Sequence, residues 1–233
     1  MNISDYKKVQ QTAKNVLTLL TATINSDSTE SSIVKTCIEL MAQQGITQTW
    51  YHNVPAFVLL GSRSCLSVSG KDYQPATEKV GHSNIVTVDL SPMLGNIWGD
   101  CARTFVVENA KVTQRPAQQA QNKEFQEGVL VETKLHQLMQ EFVTPNTLFC
   151  ELFEFANQQI TQLGYQNLDF LNNLGHSIEA DPANRKFIDK NCRVKLSTVN
   201  LFTFEPHIRK LGGVFGFKHE DIYYFEDGII KKL

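Results

Sequence analysis

"NIVTVDLSPMLGNIWGDCARTFVV", Asn84–Val107, contains two apolar runs with strand patterning, and each carries one carboxylate where a buried strand would ordinarily place Val or Ile. Between "IVTVDL" and "WGDCARTFVV" lies "SPMLGNI", whose Pro and Gly-Asn pair predict a hairpin loop. If the runs pair across it, Asp89 and Asp100 come to lie near one another on one face, because side chains alternate along each strand. Two buried, unpaired carboxylates repel each other and are costly to desolvate. One reading pairs an aspartate with Arg103 and lets the other cap the turn; the alternative places a cation between them. More ligands are needed before the cation gains ground.

The second half of the sequence supplies three. "NNLGHSIEADP" sets His176 after a glycine, in a turn where the ring could face a cavity. "LFTFEPHIRK" puts Glu205 inside a run that otherwise reads as a strand, with Pro206 interrupting the ladder. "GFKHEDIYYFEDG" puts Glu220 at the head of another strand. Each alone reads more simply as a satisfied polar residue near a strand end. Together with Asp89 and Asp100 they form an oxygen-rich set of four carboxylates and one imidazole. Such a set suits two hard or borderline divalent cations bridged by shared carboxylates, and the lack of cysteine ligands disfavours a purely structural zinc. A cation pair of that kind activates water and stabilises a developing oxyanion, which is hydrolytic equipment.

The flanking sequence predicts helices and short strands. From about Asp5 to Ala22, the spacing of Val9, Ala13, Val16, Leu19 and Leu20 is that of an amphipathic helix. "SDSTESSIVKTCIELMAQQG" predicts a second helix, capped by Ser28 or Thr29 and stopped at Gly45. "TQTWYH" and "AFVLLG" read as strands, and "SRSCLSVSGKDYQP" is rich in turn residues. Two more helices are expected in "QNKEFQEGVLVETKLHQLMQEF" and in "TPNTLFCELFEFANQQITQLG", the latter ending at Gly164. The order helix, Thr-containing cap, helix, Gly, then strands thus occurs twice. It suggests two related halves, about 1–115 and 116–233, joined through "VTQRPAQQAQNK".

A chain of 233 residues with 42% hydrophobic and 20% charged residues is ordinary for a globular protein with a sizeable core. Its net charge of −2, with Lys and Arg scattered, lacks the electrostatic footprint of a nucleic-acid binder. No run is long enough to span a membrane and no secretory pattern opens the chain, so a cytoplasmic protein with no membrane partner is expected. Cys37, Cys65, Cys101, Cys150 and Cys192 are odd in number and lack CxxC spacing, which argues against a disulfide framework or a thiolate zinc site.

The set resembles the pita-bread metallopeptidases, a family comprising methionine aminopeptidase, aminopeptidase P, prolidase and the related creatinase. The resemblance runs from "STESSIV" through "VDLSPMLGNIWGDCARTF", "LGHSI" and "TFEP" to "KHEDIYYF". It implies an α/β (α+β) fold of two pseudo-symmetric halves, each an antiparallel sheet covered by helices, forming one catalytic domain over 1–233. It also implies two divalent metal ions, manganese, cobalt, iron or zinc. In that pattern Asp89 chelates one metal, Asp100 and Glu220 bridge both, His176 is a terminal ligand, and Glu205 binds the same metal with a part in proton transfer. In extent the chain is similar to a bare methionine aminopeptidase, whereas its motifs look closer to aminopeptidase P, whose long N-terminal domain is not expected here.

Two departures stand out. Where the family has a histidine upstream of the first aspartate, "DYQP" places Asp72; seven residues beyond His176, where a second histidine is expected, stands Ala183. An aspartate donates a hydrogen bond only if its pKa is raised. His207, two residues beyond Glu205, is a replacement candidate if the strand stays regular past Pro206. The leading expectation is a dinuclear metal-dependent hydrolase, most simply an Xaa-Pro-type aminopeptidase cleaving a peptide or peptide-like C–N bond. The alternatives are a metal-dependent enzyme acting on a small non-peptide molecule and a non-catalytic binding module of the same fold. The expected partner is a small peptide or small-molecule substrate, with a homodimer left open.

Overall fold

The computed structural model describes residues 2–113 and 120–233. Residues 114–119, the middle of the expected connection and the place of the expected boundary between halves, lie outside the described residues.

Helix α1 (Ile3–Thr23) begins where the Asn2 side chain accepts a hydrogen bond from the Ser4 amide, and it buries Val9, Ala13, Val16 and Leu20 along one stripe. Helix α2 (Glu30–Gln43) opens with a reciprocal cap: Thr29 Oγ1 accepts from the Ser32 amide, and Ser32 Oγ accepts from the Thr29 amide. After these helices come strands β1 (Gln48–Thr49), β2 (Ala56–Leu60), β3 (Ser83–Leu90), β4 (Pro92–Leu94), β5 (Ile97–Trp98), β6 (Cys101–Glu108) and β7 (Lys111–Val112), with α1 packed on β4 to β7 and α2 on β2. The second part repeats the order with α3 (Lys123–Phe142), α4 (Phe149–Gln162) and the strands β8 (Tyr165–Asn167), β9 (Phe202–Phe204), β10 (His207–Lys210), β11 (Gly216–Lys218), β12 (Asp221–Glu226) and β13 (Ile229–Lys232).

The strands form four antiparallel sheets, ordered β2-β3-β6-β7, β1-β4-β5, β11-β10-β8 and β13-β12-β9. This is an α+β fold. Among the described residues its apolar interior forms three clusters: one packs α1 and α2 against β2, β3 and β6, a second packs α3 and α4 against the later strands together with Ile85 and Val106, and a smaller third joins Tyr6 and Trp98 to Ile178, Leu201, Ile222 and Tyr224. The two parts meet where β6 lies beside β11 and β12.

Two expectations for local structure change. The run read as a strand, "TQTWYH", is extended only at Gln48–Thr49; His52 and Asn53 adopt φ of 47° and 60°, and the Trp50 indole donates to the Gly99 carbonyl at 2.9 Å. A partly buried tertiary hydrogen bond thereby overrides local strand preference. The "SPMLGNI" loop does connect the paired strands, but it is itself structured, since β4 and β5 turn back at Gly95 and β4 pairs with β1.

Glu30, fully buried at the start of α2, fastens this helix to the sheet. Its carboxylate accepts from the Leu60 amide at 2.9 Å, the Ala76 amide at 2.7 Å and the Arg63 guanidinium at 2.8 and 3.1 Å. On α3, His136 is buried between Tyr223 and His219. A carbonyl can only accept, so Nε2 donates to the His219 oxygen at 3.0 Å and Nδ1 accepts from the Tyr223 hydroxyl at 2.7 Å. Both ring nitrogens are satisfied, and burial holds the imidazole pKa well below the ordinary 6.5, which favours the neutral ring.

Glu30→Ala should cost about 3–5 kcal/mol, as loss of one member of a buried pair does, and lower the melting temperature by about 6–20 °C. A second expectation concerns acid. The unfolded chain binds a proton at His136 that the fold refuses, so stability should fall as pH drops below 6.5, with a slope of up to about 1.4 kcal/mol per pH unit from this group. Urea unfolding at pH 7.5 and 5.5 should show a smaller acid loss in His136→Gln than in the parent; an equal loss would remove the assignment.

Candidate metal centre

Strand register brings the two aspartates of the opening stretch together. In the β3–β6 ladder Asp89 faces Ala102, so Asp100, two residues before Ala102 and just ahead of β6, falls on the same face at the diagonal position. The Asp100 main chain is gripped by the buried Gln10 of α1, whose amide donates to the Asp100 carbonyl at 2.7 Å and accepts from the Asp100 amide at 3.1 Å. From the other side, the Glu220 amide donates to the Ala102 carbonyl at 2.9 Å, which brings Glu220 against this pair.

His176 and Glu205 arrive by a similar device. The segment around Gly175 runs beside β9: Thr203 N–H donates to the His176 carbonyl at 2.7 Å, Glu205 N–H to the Leu174 carbonyl at 2.9 Å, and His176 N–H to Thr203 Oγ1 at 3.0 Å. Gly175 has φ of 133°, and a Cβ there would stand 2.4 Å from the Thr203 carbonyl oxygen, so the approach requires glycine. Trp50 and Trp98 flank the His176 ring, at 5.7 and 5.8 Å between centroids.

All five expected ligands thus converge. One oxygen or nitrogen from each of Asp100, His176 and Glu220 lies within 4.8 Å of the others. His176 Nε2 is 3.5 Å from Asp100 Oδ2 and 3.7 Å from Glu205 Oε1. Glu220 is fully buried, yet neither of its carboxylate oxygens has a hydrogen-bond partner. Burial, joined by the charges of Asp100, Glu205 and Asp89, drives its pKa well up; burial also pushes Asp100 up to about 6 against the opposing pull of His176. An acid in that position needs a cation or a proton.

Orphaned oxygens alone do not define a cation site. Glu132 of α3 is also buried with both oxygens unpartnered, but it belongs to no group of three donors among the described residues. His136, His219 and Asp221 do form such a group, and its atoms are already engaged: His219 Nε2 bonds Asp221 at 2.9 Å, and Arg103 and Lys232 lie 2.7 and 3.3 Å from the same carboxylate. Among the described residues, only at Asp100, His176 and Glu220 do convergence and an unpartnered carboxylate coincide, so the donors fit a divalent cation.

Sequence reasoning missed the cation already built into the centre. Lys218 Nζ stands 2.6 Å from Asp89 Oδ2 and 2.9 Å from Glu205 Oε2. Burial alone would lower the Lys218 pKa, but the charges of Asp89, Glu205 and Glu220 outweigh it and hold the group well above the usual ammonium value. Burial likewise acts to raise Glu205, and Lys218 and His176 together leave it lowered. The reading that paired Arg103 with Asp89 or Asp100 is corrected: Arg103 bonds Asp221 at 2.7 Å and donates to the Glu220 carbonyl at 2.6 Å, pinning the backbone beneath the ligand.

The centre opens into a cavity of about 350 Å³. Asp89, Asp100, His176, Glu205, His207 and Lys218 line it, with Trp50, Phe57, Phe170 and Phe187 as apolar walls. The buried His207 donates from Nε2 to the Ser64 carbonyl at 2.7 Å, which leaves Nδ1 with its lone pair; burial lowers its pKa to about 4, although that bond opposes the shift. Arg185 also lines the cavity, 4.5 Å over the Trp50 ring, and its buried Nε has no partner. Asp72 does not join these residues: it is exposed at the end of a 3-10 turn, outside the cavity lining, and Ala183 is exposed in another such turn. Both are carried on surface turns rather than on the strands that converge on the centre.

An α+β fold whose antiparallel layers enclose a carboxylate-rich cation centre is the architecture of the pita-bread metallopeptidases. Residues 4–227 match the profile of metallopeptidase family M24, and the chain belongs to that family. Solved structures with a similar fold include the prolidase from Pyrococcus horikoshii, with a TM-score of 0.81 at 19% identity over 99% of this chain and 60% of that one. The X-Pro aminopeptidase from Thermotoga maritima gives 0.80 at 17% identity over 99% and 60%. The methionine aminopeptidase from the same organism gives 0.75 at 14% identity over 97% and 93%. The chain therefore spans about 60% of the length of the first two. Among curated proteins no match to the sequence is found. No helix among the described residues is long and apolar enough to cross a membrane.

Asp100→Ala should abolish tight divalent-cation binding measured by calorimetry. Gln10→Leu, which touches no donor atom, should weaken it about 10–100-fold, as loss of a ligand's supporting contacts commonly does. Unchanged affinity in both would contradict the assignment.

Proposed function

We propose that this protein is a metal-dependent hydrolase of a peptide or peptide-like C–N bond, with short Xaa-Pro peptides as its leading substrates. The observation that carries this reading is Glu220, an unpartnered buried carboxylate with two further donors within 4.8 Å, beside a cavity large enough for a dipeptide. Membership of the family and the likeness to a prolidase and an X-Pro aminopeptidase support the same substrate class.

Asp100, His176 and Glu220 would hold the cation, with Asp89 and Glu205 completing the set that the resemblance implies. When bound, a divalent ion of this kind acidifies water and polarises a carbonyl. Manganese, cobalt, iron and zinc all suit four carboxylates and an imidazole.

The remaining steps belong to the protein's own side chains. Glu205 presents a carboxylate on the cavity wall and can accept a proton and return it to the leaving amine. His207, fixed by Ser64, offers Nδ1 as a second acceptor in place of the histidines the family customarily uses. Asp72, away from the cavity, has no part. Among the described residues that line the cleft, Arg185 is a cation whose Nε has no hydrogen-bond partner. Stacked on Trp50 with an unpartnered Nε, it is suited to hold the terminal carboxylate of a short substrate. The second reading, a metal-dependent enzyme acting on a small non-peptide molecule, draws on the absence of both customary histidines, at whose places Asp72 and Ala183 stand outside the cavity lining.

Protein loaded with manganese, cobalt, zinc or iron(II) should hydrolyse Xaa-Pro dipeptides and lose that activity with a chelator. Silence towards Xaa-Pro and methionyl peptides with every metal would favour the non-peptide substrate. Arg185→Ala should raise KM for a dipeptide about 10–100-fold, the worth of a hydrogen bond to a charged group, with little change in kcat. An unchanged KM would remove Arg185 as the anchor.

A further inference from the structure

The resemblance implies two cations, but the donors are not arranged as two equal sites. Of the five, only Asp100, His176 and Glu220 offer atoms that all lie within 4.8 Å of one another. Asp89 and Glu205 turn instead to Lys218, whose ammonium bonds one oxygen of each. The lysine is directed there by the sheet: in the β10–β11 ladder Lys218 stands opposite His207, so both side chains project from one face into the cavity. Its side chain is only 17% exposed, so few water molecules could replace the two carboxylates as its partners.

An ammonium and a second divalent cation would compete for this place. Charge-assisted hydrogen bonds hold one oxygen of each carboxylate, and an ammonium and a second divalent ion repel at short range in a poorly screened site. Charge matching points the same way. Lys218 with one divalent ion sets three positive charges against four carboxylates, whereas two divalent ions would make five.

On the metal-dependent reading above, we infer that this protein binds a single divalent cation, at Asp100, His176 and Glu220, and that the Lys218 ammonium stands where the resemblance places the charge of a second. Asp89 and Glu205 then serve as partners of Lys218 first, and Lys218 is a positioning residue that holds the Glu205 carboxylate at the cavity wall.

The experiment is equilibrium dialysis of metal-stripped protein against manganese, with metal counted by mass spectrometry and spin coupling read by electron paramagnetic resonance. The parent should plateau at one manganese per chain, with the spectrum of isolated Mn(II). Lys218→Met should gain a second manganese and show an exchange-coupled pair. Should Lys218→Met fail to fold, Asp89→Asn decides: it should leave the plateau at one, whereas a two-cation centre would fall from two to one. A parent plateau of two, a Lys218→Met plateau still at one, or an Asp89→Asn variant without metal would overturn the inference. A parent plateau of zero would overturn it together with the metal-dependent reading, while a plateau of two leaves that reading intact.

Discussion

Four carboxylates, Asp89, Asp100, Glu205 and Glu220, converge on one centre, and their mutual repulsion is the constraint around which it is built. Apolar surroundings magnify that repulsion, because water is not there to screen it. The chain supplies one compensating charge itself, on Lys218, held 2.6 and 2.9 Å from two of the acids. It leaves the other two, Asp100 and Glu220, beside the His176 imidazole with no ammonium of their own. An asymmetry of this kind makes one half of the cluster a satisfied ion network and the other half a receptor for a cation.

The fold holds these groups by their backbones. Asp100 precedes β6, Glu205 follows β9 and Glu220 precedes β12, so each acid lies just past a strand end, where its side chain is free of the ladder while its main chain is still anchored. Gln10 grips Asp100 from α1, and Arg103 grips Glu220 from β6. His176 is set by its bonds to Thr203 and by the close approach that Gly175 allows. Ligands positioned through their main chains keep their side-chain atoms available, which is what a metal site asks of its scaffold.

Much of this was legible in the amino-acid sequence because the signals were local. The apolar spacing of α1, the Thr29 cap of α2 and the misplaced acids in apolar runs each need only a few neighbouring residues. What escaped needed partners distant in the chain. The "TQTWYH" run has strand composition, yet Trp50 bonds Gly99, 49 residues away. Arg103 stands near both aspartates in sequence but finds Asp221, 118 residues on. Lys218 left only a faint trace, a cation two residues before the expected ligand Glu220, because one acid it bonds, Asp89, lies 129 residues away in the chain. Arg185 shows the reverse difficulty, since nothing in "ANRKF" announces a cleft; His207 was legible as a candidate, but its anchoring by Ser64, 143 residues earlier, was not.

The most direct measurement is thermal unfolding with a chelator and again with manganese at about 100 times its dissociation constant. If a bound cation relieves the buried acids, the metal should stabilise the fold by about 2.7 kcal/mol and raise the melting temperature by about 5–10 °C. In Glu220→Gln, where the unpartnered carboxylate is neutral, that gain should largely vanish. An equal melting temperature with and without metal, or an equal gain in Glu220→Gln, would contradict the account.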